Sequence, residues 1–413
     1  MENGRQSKTA QYALIQALYW MSFCMIFAYA SVYLLDRGFS NTAIGLLIGI
    51  SGTISAILQP VIGGMAGEGP GRVPLKRMIM LGCSLMLLVG LGLLLVSGNQ
   101  VLTVALYGTA VTFLQVLTSL VYSLGMGCIN RGERLDFGLA RGIGSLAYAG
   151  ISYVAGFLVV SVGTELIPAS IAALYGLMLA AVFFFRSGEG TVPGMGKSVE
   201  NAVKHPDSDQ VSGKKMQQEA TFFKRYPRFF ALLLGATLVF VSHNMLNNFA
   251  FQVMESKGGG SSAMGTAIAL AAASELPTMF LFGWMVKKVR CDIWLKISGL
   301  FFLIKSLATV LVTSVMGMYL IQGLQMFGFA LFVVASVYYV NMIMEEKDRT
   351  RGQAFMTMTN TLGGVLGSSC GGALIDGFGI PVMLAASTVV AAAGMVLMSG
   401  AVKKQQKGTE RIG

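Results

Sequence analysis

TAIGLLIGISGTISAILQPVIGGM at 42–65 and SAMGTAIALAAASELPTMFLFGWM at 262–285 align without a gap, 220 residues apart. Ala43/Ala263, Gly45/Gly265, Ile48/Ile268, Gly63/Gly283 and Met65/Met285 coincide. Each stretch can cross a bilayer as one helix, which takes roughly 20 apolar residues. A second likeness joins RGIGSLAYAGISYVAG (141–156) to TNTLGGVLGSSCGG (359–372). Small residues at such spacing let helix backbones approach closely in lipid. The chain reads as a parallel duplication of a membrane-spanning unit.

Working outward, the same apolar character recurs along all 413 residues: 54% are hydrophobic, 12% are charged, and mean hydropathy is +0.67. Soluble domains carry about twice that charged fraction. Twelve spans are predicted at 12–35, 42–66, 78–97, 101–125, 138–162, 166–186, 229–254, 262–286, 293–315, 317–341, 352–374 and 380–402. The first is too long for a signal peptide and has no small-residue cleavage site after it. With these spans, Arg37 and Lys257 fall on one side and Arg141 and Lys305 within spans. Every other Lys and Arg falls on the opposite side, with both termini. The positive-inside rule makes that side cytoplasmic. The net charge of +11 is therefore orientation and lipid contact rather than a nucleic-acid footprint.

Between the sixth and seventh spans the apolar pattern stops. The polar stretch GEGTVPGMGKSVENAVKHPDSDQVSGKKMQQEA has the composition of a linker, and FFKRYPRFF (222–230) marks the return to the interface. The expected architecture is an all-α membrane protein with 12 transmembrane helices in two six-helix bundles. These are residues 1–186 and 229–413, joined by a cytoplasmic linker over 187–228.

Glu275 is the one carboxylate in the middle of a span, and Lys305, one span later, is the one mid-span lysine at nearly the same depth. A lone charge there costs about 2.5–3.5 kcal/mol on insertion scales. Opposite charges at matched depth point to a partnered site inside the bundle. Lys305 lies about 17 Å of helix rise from the cytoplasmic end, too far to snorkel easily. A buried carboxyl beside a cation can gain and lose a proton with conformation, as proton coupling requires. The run SHNMLNNFAFQ (242–252) is too polar to face lipid, and His243 and Asn247 share a face. They read either as interhelical hydrogen bonds or as ligand donors. Gln322 and Gln325 share a face of span 10 and suit hydroxyl groups. Arg141, barely a turn into span 5, is a cytoplasmic anchor or a site residue, with Tyr148 two turns further along its face. Tyr29, Tyr33 and Gln59 are weaker candidates.

No Walker loop, H-E-x-x-H or G-x-S-x-G element occurs in the sequence, and of its two histidines one lies in the linker. The five cysteines form no C-x-x-C pair. No cofactor, metal or enzyme activity is expected, and energy must come from an ion or substrate gradient.

These residues resemble the major facilitator superfamily. Within it they look like the lactose permease-like proton symporters and the related nucleoside and phenylpropionate permeases, over residues 10–400. DFGLARGIGSLAYA (136–149) is similar to the helix 4–5 junction with the sugar-binding arginine, which Arg141 would inherit; Tyr148 stands at the stacking tryptophan. SELPTMF places Glu275 on the helix 8 glutamate that links substrate to proton, and Lys305 replaces the helix 9 arginine. The chain departs from that pattern elsewhere. Ser123 stands for the glutamate that pairs with the arginine, Gln325 for a histidine, Gly328 for the proton-releasing glutamate and Asn360 for a lysine. Segment 63–77 lacks the usual aspartate of the loop 2–3 signature. The resemblance implies a secondary transporter of the inner membrane acting as a monomer. Its partners would be a small-molecule substrate, protons and the lipid bilayer, without nucleic acid. Proton-coupled uptake of a sugar or nucleoside is the first expectation, an organic or aromatic carboxylate the second, and drug efflux the third. Substrate contacts are expected at Arg141, Tyr148, His243, Asn247, Lys305, Gln322 and Gln325, and proton coupling at Glu275 with Lys305.

Overall fold

The computed structural model describes residues 2–66, 73–96, 98–185, 222 and 224–402. Most of the linker expected over 187–228, and positions 67–72 of the 63–77 loop, lie outside them. Long helices stand where the hydropathy predicts. The first six are α1 (Glu2–Phe23, continued by Cys24–Ala28 and Ala30–Asp36), α2 (Asn41–Met65), α3 (Leu75–Leu95), α4 (Gln100–Asn130), α5 (Phe137–Val162) and α6 (Leu166–Phe184). The last six are α7 (Pro227–Asn248, continued by Ala250–Glu255), α8 (Ser261–Lys288), α9 (Cys291–Leu311), α10 (Val315–Gln322, Gly323–Met326 and Phe329–Ile343), α11 (Glu346–Phe378) and α12 (Ile380–Ala401). Eleven are long and apolar enough to cross a membrane. The exception is α11, which opens on the charged EKDRTRGQ and whose remaining length is rich in Gly, Ser, Thr and Asn. It starts six residues before the predicted span because hydropathy registers only the apolar part of a helix.

The duplication is visible in the backbone. α1 is interrupted at Tyr29 (φ −97°, ψ 8°) and α7 at Phe249 (φ −111°, ψ 26°), again 220 residues apart. Each interruption leans on the helix four further along. The Tyr29 hydroxyl donates to the Ser152 carbonyl of α5 at 2.6 Å, and the Phe249 ring lies against Gly371 of α11. In lipid the hydrophobic effect does not favour helix association, so close packing and interhelical hydrogen bonds hold the bundle. Buried tyrosines supply several of these bonds: Tyr12 to the Val121 carbonyl at 3.0 Å and Tyr107 to that of Ile26 at 2.8 Å. Each is worth on the order of 0.6 kcal/mol.

The first and last six helices meet along α2 with α11 and α5 with α8. The closest approach is at the end away from the chain termini. A methyl on Gly45 would collide with the Ser368 carbonyl, one on Gly372 with Asn41, and one on Gly265 with the Ser152 carbonyl. Asp376, at the exposed end of α11, caps the first turn of α2. Its carboxylate accepts from the Asn41 side-chain amide at 2.8 Å and the Thr42 backbone N–H at 2.6 Å. Partial burial opposes ionisation there, but the bonds from Thr42 and Asn41 prevail and pull its pKa down to about 2. The Gln252 amide of α7 donates to Asn41 Oδ1 at 2.7 Å, adding a third helix to the closure.

Toward the terminal end the contact opens. Gly63 and Gly283, the repeat-related glycines at that end of α2 and α8, have no neighbour among the described residues within 4 Å of an added methyl. The apolar core tells the same story. One cluster runs from Tyr12 through the first six helices into the far-end residues Phe249, Met264 and Met318, while Leu232, Phe302 and Tyr339 belong to a separate cluster in the last six. Among the described residues, terminal-side ion pairs stay within each half: Lys8 with Glu133, and Arg225 with Asp348 at 3.2 Å.

Candidate functional site

A cavity of about 420 Å³ lies between the two sets of six helices. Arg141, Tyr148, His243, Asn247, Glu275, Lys305, Gln322 and Gln325 all line it, and so does Asn360. Tyr29, Tyr33 and Gln59 do not. Tyr29 is bonded to α5, Tyr33 stacks on Tyr107 with centroids 5.6 Å apart, and the Gln59 amide donates to Ser55 at 3.1 Å.

The first six helices contribute an aromatic wall with one cation. Asp136 caps α5 by accepting from the Leu139 N–H at 2.9 Å, which sets Arg141 in the second turn. The guanidinium sits over the Trp20 ring, its central carbon 3.9 Å from the centroid. It also donates to Tyr122 Oη at 3.1 Å and Ser145 Oγ at 2.7 Å. Among the described residues it has no carboxylate in ion-pair contact. Trp20 can reach this position because α5 has Gly144 beneath it: a methyl there would come within 2.7 Å of the indole. Phe23 and Phe27 stack at 5.1 Å, and Tyr148 meets Trp20 edge-on at 6.4 Å. The sequence reading assigned the aromatic role beside the arginine to Tyr148 and missed Trp20. A tryptophan in span 1 reads as an interface anchor, and only its placement four residues after Gln16, which accepts its indole N–H at 3.2 Å, hints at an inward face.

The last six helices contribute the polar wall. Lys305 is 7% exposed and donates to Gln325 Oε1 at 2.5 Å. The Gln325 amide N–H in turn donates to Glu275 Oε1 at 3.1 Å. Glu275 and Lys305, expected to be coupled, are joined by a bridge: no ion pair links them among the described residues, and the amide stands between. α8 and α9 do not turn the two side chains toward each other; α10 supplies the connection.

Three local features build this bridge. First, Pro277 has no N–H to bond the carbonyl four residues back, which loosens the turn of α8 holding Glu275. Second, the neighbouring Ser274 hydroxyl bonds outward to the Gln322 carbonyl at 3.2 Å. That carbonyl stands at the break in α10, which tightens to a 3₁₀ turn at Gly323–Met326 and restarts after Gly328 (φ −84°, ψ −90°). The predicted span 317–341 was unbroken. The repeat-related part of α4 is regular, so this break belongs to the second half alone. Third, α9 is held in rotation by a buried hydroxyl cluster: Ser306 lies 3.0 Å from Ser387 and 3.1 Å from Thr388 of α12, and Ser387 lies 2.9 Å from Ser242 of α7. With Ser306 facing α12, Lys305 faces the cavity.

His243 stacks on Phe329, centroids 5.0 Å apart at 8°, and its Nε2 shares a hydrogen bond of 2.8 Å with the Asn247 amide. Asn244 bonds the Phe240 carbonyl at 2.9 Å, and Asn248 is turned away to Ser368 at 2.6 Å. Of the polar run in α7, Asn247 is the most open to the cavity.

Solved structures share this architecture. A mutant of the nucleoside transporter NupG superposes with a TM-score of 0.75 at 13% identity, covering 95% of this chain and 98% of that one. An auto-inhibited POT family peptide transporter gives 0.71 at 11% identity, covering 96% of each. A bacterial homologue of the human lysosomal transporter Spinster, described as inward-facing and unoccupied, gives 0.64 at 15% identity, covering 97% of this chain and 96% of that one. At such identities the likeness shows the fold alone. No curated protein matches the sequence significantly. A sequence profile does match, over residues 10–385, and it places the chain in the MFS_1 like family of the major facilitator superfamily, a family of transporters rather than enzymes.

Proposed function

We propose that this protein is a proton-coupled secondary transporter that takes up a small polar solute by alternating access. One observation carries the reading: the ionisable groups Glu275, Lys305, His243 and Arg141, all within spans, converge on a single cavity between the two halves. Intramembrane ionisable residues mark substrate and proton routes, and repeat-built transporters bind at the repeat interface near the midplane. Residues 1–186 and 229–413 form the two moving bundles, and 187–228 tethers them. The basic side carrying the termini is cytoplasmic, so the far-end closure around Asn41 and Asp376 is extracellular and the cavity opens inward in this conformation. The membrane is the cell's inner membrane. Glu275 carries the proton, and Gln325 and Lys305 respond to its ionisation. Arg141, Tyr148, His243, Asn247, Gln322, Gln325 and Lys305 contact the solute.

The amides of the polar wall suit a sugar, a nucleoside or the polar end of an organic carboxylate equally. Arg141 separates these chemistries. The transport reading is tested in proteoliposomes holding the purified chain, with labelled lactose, uridine and 3-phenylpropionate offered under an inward proton gradient. One of them should accumulate. Glu275→Gln should lose accumulation yet keep exchange of labelled for unlabelled solute. Accumulation by Glu275→Gln at the unaltered level refutes proton coupling through that residue. Chemical turnover without transmembrane movement refutes transport.

A further inference from the structure

We propose that the cavity takes an amphipathic organic monoanion, an aryl or alicyclic carboxylate, whose carboxylate docks on Arg141 and whose ring packs on Trp20, Phe23 and Tyr148. The inference rests on reading this cavity as the transported solute's site, and it names the substrate class.

The charge pattern comes first. Three residues lining the cavity carry formal charge: Arg141, Lys305 and Glu275. Glu275 and Lys305 are joined through Gln325 by bonds of 3.1 and 2.5 Å, and this trio is neutral in itself. The guanidinium is left with neutral partners only: the Tyr122 and Ser145 hydroxyls and the Trp20 ring. These hold it in place without balancing its charge. They occupy Nε–H and one Nη1–H, so the fork keeps N–H donors to spare, and its fixed planar geometry matches a carboxylate. A cation left unbalanced in a partly desolvated site favours an anionic partner.

The shape comes second. The wall around Arg141 is aromatic, with Trp20, Phe23, Phe27 and Tyr148 in mutual contact. Among the described residues, the first six helices bring no amide side chain to the cavity. A sugar docked there would set its hydroxyls against rings, whereas a carboxylate carried on a flat apolar body satisfies cation and rings together. The volume of about 420 Å³ holds a molecule of that size and lies within the usual range for small-ligand sites. Arg141 is the one lining charge outside the neutral trio, so the cavity balances a single negative charge.

The test is thermal stability of the purified full chain at neutral pH. It is titrated with a panel of aryl and alicyclic carboxylates, benzoate and 3-phenylpropionate among them, each beside its primary amide, and with uridine and lactose. A ligand that binds the folded state alone raises the melting temperature with concentration. At least one acid should stabilise saturably, and its amide should need about tenfold more, the cost of losing one charge-assisted bidentate contact. Arg141→Gln should erase the acid–amide difference, and Arg141→Lys should keep part of it. The comparison on the unaltered chain stands even where Arg141→Gln does not fold. Stabilisation by no acid of the panel, equal potency of acid and amide, or an acid preference that survives Arg141→Gln overturns the proposal. Binding and uptake of uridine or lactose alone overturn it and leave the transport reading standing. Binding of an acid with no uptake into proteoliposomes supports the anion site and refutes the transport reading.

Discussion

Replacing Gln325 with leucine tests the bridge that organises the polar wall. The side chain is 5% exposed, so leucine fills its space while removing both the acceptor for Lys305 and the donor to Glu275. Hydrogen bonds to charged groups contribute about 1.5–3 kcal/mol each, and stranding one member of a buried pair costs about 3–5 kcal/mol. Glu275 borders the cavity and can rehydrate, so most of the cost falls on Lys305. A loss of about 2–3 kcal/mol is expected. The sharper measurement is a double-mutant cycle of Glu275→Gln with Lys305→Met, read as thermal or denaturant stability in detergent. It is run twice, once with Gln325 intact and once in the Gln325→Leu background. With Gln325 present, the coupling should be about 1–3 kcal/mol, as for residues in one hydrogen-bonded network. With leucine in its place, it should fall below about 0.5 kcal/mol, the scatter of independent sites. Simple additivity with Gln325 present refutes any coupling of the two charges. Coupling that survives the leucine refutes the amide as its carrier.

Gly45→Val drives a side chain into the Ser368 carbonyl, so the far end cannot close as it does here; uptake should drop at least about tenfold while ligand binding persists, because about 1.4 kcal/mol against closure already shifts the equilibrium that far. Unimpaired uptake would show that this approach is not needed in the cycle. Asp376→Asn should weaken the same closure by about 1 kcal/mol, discounted for exposure, and raise reactivity of a cysteine introduced at Asn41. Because the Asp376 pKa is depressed from 3.8 to about 2, its contribution is complete above about pH 4 and fades only as pH falls through about 2. Any dependence of transport on pH between about 5 and 8 should therefore persist in Asp376→Asn; its disappearance would make this carboxylate part of the coupling. Trp20→Leu removes a cation–π contact worth about 0.5–2 kcal/mol, so ligand affinity should fall roughly 2- to 30-fold with little change in the pH profile.

Much of the fold was legible because a bilayer turns hydropathy into depth. Twelve apolar stretches, the 220-residue repeat and the matched depths of Glu275 and Lys305 all follow from position along a helix axis. Azimuth was not legible. Nothing in FFLIKSLAT says that Ser306 bonds Ser387 and so turns Lys305 inward, and nothing in AAASELPTMF says that Glu275 meets an amide of α10 before it meets Lys305. The break in α10 escaped for a related reason. Gly323 and Gly328 are ordinary glycines by sequence, in a chain with 52 of them, and only the structure shows the Ser274 hydroxyl bonded to the Gln322 carbonyl at the break. Trp20 was missed because the residue that admits it, Gly144, belongs to a different helix.

The two walls of the cavity come from different ends of the chain, and this has an evolutionary consequence. The rings and the guanidinium that would grip a ligand's body are carried by α1 and α5, while the trio of Glu275, Gln325 and Lys305 is carried by α8, α9 and α10. After a duplication, such a division of labour lets each copy drift under its own selection. On the proposed reading, substitutions at Trp20, Phe23 or Tyr148 retune how a solute's body is held while the trio, with its own solute contacts at Gln325 and Lys305, stays unchanged, so a lineage can change diet while keeping its engine.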